Sequence, residues 1–154
     1  MTTTQTTRQT ARTGRSLIEP NLFARLSTRI ATEHDTDTAT AERIMDQALA
    51  YLGACAVTTA PLSPSKQVDI GWHTFILYTR DYAQFCEHIA GRFIHHVPTD
   101  DETATTHAAA PWETTASIVA AGFIVDAPLW EDATKCSQCH NGCNNDPAPN
   151  PSAL

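Results

Sequence analysis

Between Pro20 and Phe93 the apolar residues return at intervals of three and four, one stripe after another, and no hairpin signal interrupts them. Only helices can bury a pattern with that period, which restricts the chain to an all-α fold. Leu22, Phe23, Leu26 and Ile30 share a face and predict a helix from about Pro20 to Thr32. Pro20 suits its opening turn, where a missing N–H costs nothing. Ile44, Met45, Ala48, Leu49, Leu52 and Cys55 predict a second helix from about Thr38 to Cys55, capped by Asp37 or Thr38. Pro61 and Pro64 then break the chain, and Ser65 is set to cap a third helix through Val68, Ile70, Trp72, Phe75 and Ile76. Thr79 and Asp81 mark a break before a fourth stripe of Tyr82, Phe85, Cys86, Ile89 and Phe93. After a polar loop from Pro98 to Pro111, a fifth helix is expected over Thr114 to Phe123, although its Val, Ile and Phe also permit a strand. The expectation is a small single-domain helical bundle of four to five helices with irregular N- and C-terminal ends.

Those ends differ in kind. The first 15 residues hold seven threonines and three arginines, with no acid and no apolar period, and read as a flexible arm. Residues 16–130 form the helical domain, and residues 131–154 a Cys-rich, metal-binding tail. Of the 154 residues 42% are hydrophobic, enough for one core. A net charge of −7 argues against nucleic acid or an anionic membrane as partner, since both call for a basic surface. No apolar run approaches the roughly 20 residues of a membrane span. No secretory h-region is seen either, so a cytoplasmic protein is expected. Five cysteines without an export signal point to thiols or metal ligands rather than to a disulfide framework. Cys55 and Cys86 fall on apolar faces and read as packing thiols.

The densest chemistry lies between Val68 and Pro98. Asp69 and His73 are four apart and share a helix face. Asp69 either accepts the N–H of His73, fixing its tautomer for a metal or a proton transfer, or forms with it a polar pair that locks a helix contact. His95 and His96 precede Val97-Pro98, where helical geometry is disfavoured. Adjacent residues on a helix point about 100° apart, so one histidine as ligand and one toward solvent is the simpler arrangement. Imidazoles beside a carboxylate suit Zn²⁺, Fe²⁺ or Ni²⁺. His88 lies off the apolar stripe and is expected to be exposed.

The order Asp69, Trp72-His73-Thr74, Tyr82, Phe85-Cys86, Gly91, His95-His96 resembles the signature of the glycine-rich-domain-containing-protein-like family. The resemblance is confined to this segment. It implies a helical fold and a unit formed by Asp69, Trp72 and His73, and it brings no activity with it. Phe75 stands where relatives often carry a second histidine.

Near the C-terminus, Cys136, Cys139, His140 and Cys143 place four soft or borderline ligands within eight residues. A Cys-x-x-Cys knuckle lets two thiolates converge on one ion, and a body histidine (His73, His95 or His96) would complete a tetrahedron. Rival readings are c-type haem on Cys-x-x-Cys-His, an Fe–S cluster, a redox dithiol and an unliganded tail. The leading expectation is a zinc-binding helical protein, a scaffold if the ion is closed by four protein ligands and an enzyme if one position stays open. The alternatives are a metal-free interaction module with a protein partner, and a helical leader whose Cys-rich end is itself modified. No Gly-x-Ser-x-Gly, phosphate loop or dinucleotide fingerprint is present.

Overall fold

A computed structural model describes residues 10–96 and 109–131. Five helices follow in order: α1 (Pro20–Glu33), α2 (Thr38–Val57), α3 (Lys66–Ile76), α4 (Thr79–Ala90) and α5 (Pro111–Ala120). Short 3₁₀ turns, Gly14–Leu17 and Ala127–Trp130, precede and follow them. Among the described residues there is no strand, only an isolated bridge between Arg12 and Phe123. No helix there is long and apolar enough to cross a membrane.

Helix α2 is the axis of the bundle and packs against α1, α3, α4, α5 and the first 3₁₀ turn. Its second half explains why: every residue from Gln47 to Cys55 is buried, so the helix is covered around its full circumference there. Its start is set by Asp37, whose side chain accepts the Thr40 N–H at 2.8 Å. Helix α3 lies close against α2 because position 71 has no side chain. A Cβ on Gly71 would stand 2.6 Å from the Ala48 Cβ. Ser65 caps α3 by accepting the Val68 N–H at 3.1 Å, and the same hydroxyl donates to the Leu129 carbonyl at 2.6 Å.

The boundaries of α4 and α5 differ most from the sequence expectation. Helix α4 ends at Ala90, and Gly91 caps it in the left-handed region (φ 64°), a conformation that costs glycine little. Phe93 is therefore off the helix and 43% exposed. The chain leaves the helix before His95 and His96, not after them. Helix α5 begins at Pro111, three residues early, with the Glu113 carboxylate accepting the Ala110 N–H at 2.7 Å.

Part of the stretch read as a flexible arm is packed. Arg12 donates its N–H to the Gly122 carbonyl (2.8 Å) and accepts from Ile124 N–H (2.9 Å), while Arg15 N–H reaches Asp46 Oδ1 at 2.8 Å. All three use the main chain of residues 12 and 15, which composition does not report. Residues 1–9 lie outside the described residues.

The last segment is stitched to α2 mainly by one buried side chain. Gln47, 1% exposed, accepts from Asp126 N–H (3.0 Å) and Trp130 Nε1 (2.9 Å), and donates to the Ile124 carbonyl (3.0 Å). Trp130 thereby covers Tyr51, their rings 6.4 Å apart. Cys86 is a free, buried thiol whose pKa is raised by burial, as a packing role requires. Cys55 is likewise fully buried, on the second half of α2.

A candidate Asp-His-His metal centre

The first turn of α3 carries Asp69, where the positive end of the helix dipole favours a carboxylate. Its side chain is 8% exposed, yet both oxygens are engaged. Oδ2 lies 2.9 Å from His73 Nδ1, one turn along the same helix. Oδ1 lies 2.9 Å from Nε2 of His96, 27 residues away on the segment after α4. His73 Nδ1 is also 2.9 Å from the Asp69 main-chain carbonyl. Carboxylate and carbonyl oxygens only accept, so the imidazole nitrogens facing them are the donors.

The two imidazoles touch each other as well, with ring centroids 4.1 Å apart. Trp72, next to His73 on α3 and 1% exposed, presents an edge to the His96 ring at 4.5 Å. The Trp72 indole N–H donates to Tyr82 Oη at 2.8 Å, and Tyr82 donates that hydroxyl to the Ile94 carbonyl at 2.5 Å. Burial raises the Tyr82 pKa far above its ordinary value, so the hydroxyl keeps its proton and its capacity to donate. The His73 side chain is 51% exposed and that of His96 only 7%. The centre thus has one wall of aromatic core and one side open to solvent.

One ligand atom from each of Asp69, His73 and His96 can be chosen such that all lie within 4.8 Å of one another. Two imidazoles and a carboxylate converging in this way match a set that transition metals use. The same geometry also works as a hydrogen-bonded polar core without an ion.

Of the residues singled out from sequence, Asp69, His73 and His96 come together. His95, the neighbour of His96, does not join them; it is exposed and stacks on Phe93 at 4.7 Å. One histidine inward and one outward is the simpler of the arrangements expected, although the turn that produces it is at Gly91 rather than at Pro98. His88 is exposed, as its position off the stripe indicated. Cys136, Cys139, His140 and Cys143 lie outside the described residues. What sequence reasoning missed is Tyr82, placed in the core stripe for its ring. Its hydroxyl was the available signal, since a buried tyrosine O–H needs a partner.

No curated protein and no solved structure matches the chain. Residues 13–111, nearly two thirds of its length, match the family described as UCP032817-like. This corrects the resemblance to the glycine-rich-domain-containing-protein-like family, which rested on the short Asp69–His96 segment. A run of Asp, Trp and His at helical spacing is too short to separate two helical families, whereas the longer match takes in α1 and α2 as well. The chain belongs to the UCP032817-like family, an uncharacterised one.

Proposed function

We propose that this protein binds one divalent transition-metal ion, zinc first among the candidates, through Asp69, His73 and His96. The observation that carries the reading is the buried carboxylate with an imidazole nitrogen 2.9 Å from each of its oxygens. A cation at that point would take the place of two N–H donors, and each imidazole would carry its proton on the far nitrogen instead. Three protein ligands leave at least one position for water, a substrate or a fourth side chain. With water there, the ion would act as a Lewis acid or as a source of hydroxide. A thiolate from Cys136, Cys139 or Cys143 would instead close the site and make the ion structural. The donor set at Asp69 holds no thiolate, so the covalent attachment of c-type haem or a Cys-held Fe–S cluster would call on Cys136, Cys139 and Cys143 instead.

Elemental analysis of untagged protein purified without chelator, followed by Co²⁺ titration of the stripped protein, tests this. About one ion per chain is expected, with ligand-field bands that vanish in His73→Ala and His96→Ala and persist in His88→Ala. Joint Cys136→Ser, Cys139→Ser and Cys143→Ser substitution separates an open site, whose spectrum is unchanged, from a thiolate-closed one. No metal uptake by the wild-type chain would remove the reading and favour a metal-free interaction module.

A further inference from the structure

We infer that Tyr82 is a positioning residue that holds His96 against Asp69. The inference rests on the metal-centre reading for its purpose, but the geometry behind it is independent of any ion. The centre is assembled from two separate pieces of chain. Asp69 and His73 sit on α3, whereas His96 sits on an irregular segment that follows Gly91 and lies outside any helix. A ligand on such a segment is only as well placed as its nearest anchor.

Arg92 donates from this segment to the Cys55 carbonyl at 3.2 Å, and nearer His96 an oxygen atom supplies a second anchor. Tyr82 Oη accepts the indole N–H of Trp72, the residue beside His73, and donates to the carbonyl of Ile94, two residues before His96. It therefore links the two ligand-bearing pieces directly. Tyr82 is 1% exposed and Ile94 0%, so water does not compete for either bond. Trp72, held by the same oxygen, packs its ring edge-to-face with that of His96, centroids 4.5 Å apart. The Tyr82 ring is itself fixed on α4 by Phe75 and Phe93, at 5.2 and 5.3 Å and near-perpendicular to both. Hydroxyl removal leaves this ring contact in place and cuts the link.

The experiment compares wild type, Tyr82→Phe and Thr114→Val. The last removes a buried hydroxyl that accepts the Ser63 N–H on the α5 side. Two readouts are taken on each folded protein: Co²⁺ and Zn²⁺ affinity, and the NMR shifts of the His96 ring, which the Trp72 ring current displaces in wild type. Removing an outer partner of a ligand costs roughly 10- to 100-fold in metal affinity, and a loss of that size is expected for Tyr82→Phe. Its His96 signals should move toward unstructured values, while Thr114→Val changes neither readout. Unchanged His96 signals in Tyr82→Phe overturn the inference, as does an equal loss of affinity in Thr114→Val. If wild type binds no metal, the proposed function fails, and the His96 signals alone decide the role of Tyr82. If Tyr82→Phe does not fold, 4-aminophenylalanine and 4-methylphenylalanine at position 82 replace it. They match in shape, and only the first donates a hydrogen bond, so only the first should keep the wild-type His96 signals; like signals from both would overturn the inference.

Discussion

Asp69 has two oxygens and two imidazole donors, and the match leaves little tolerance. Asparagine has nearly the same shape but replaces one acceptor with an N–H₂ that would face an imidazole N–H. Asp69→Asn should therefore abolish Co²⁺ uptake and lower unfolding free energy by about 1–3 kcal/mol, the usual cost of a buried polar group left without its partner. Spectroscopic titration and urea denaturation check the two halves separately. A different carboxylate contributes to acid sensitivity. The Arg43 guanidinium, at 2.6 and 2.8 Å, holds the Asp126 carboxyl below its ordinary value. A lowered folded-state pKa means that the ion pair stabilises the fold above the unfolded carboxylate pKa, near 4, and that this contribution fades as pH falls below it. Both partners are partly exposed, so the effect is modest. Melting curves from pH 7 to 2 should show Asp126→Asn losing its deficit relative to wild type in the acid range.

Among the elements, α3 depends most on a single side chain. The Ser65 hydroxyl caps the helix that carries Asp69 and also holds the Leu129 carbonyl, both out of contact with water. Ser65→Ala removes a cap worth about 1 kcal/mol and strands a buried carbonyl worth about 1–3 kcal/mol. A loss of roughly 2–4 kcal/mol in denaturant unfolding is expected. Such caps are also why the helices were legible from sequence. Asp37, Ser65, Pro20 and the apolar stripes are local signals, and each acts within about four residues of where it is read. The site was legible to the same distance. Asp69 and His73 are four apart, so their pairing follows from helical spacing alone. His96 meets them through a left-handed turn at Gly91 and a tyrosine hydroxyl, and no period in the sequence encodes either. The packed backbone of Arg12 was hidden for the same reason, since its bonds run to residues more than a hundred positions away.

At the scale of the molecule, Gln47 ties the central helix to the final described segment. Gln47→Ala would leave the Asp126 N–H, the Trp130 indole N–H and the Ile124 carbonyl without their partner. Three such losses at about 1 kcal/mol or more each make this the most damaging single truncation proposed, expected at roughly 3–5 kcal/mol and measured by calorimetry. The bridge between Arg12 and Phe123 adds a temporal consequence. A ribosome delivers about 5–20 residues per second, so Arg12 is made several seconds or more before its partner exists. During that interval α1 to α4, with Asp69, His73 and His96 among them, have already been synthesised. The Gln47 and Ser65 contacts that fasten residues 124–130 over them cannot yet form. The protein is thus born with its histidine–carboxylate cluster ahead of its clasp, and residues 124–130, made last among the described residues but for Glu131, close the fold over it.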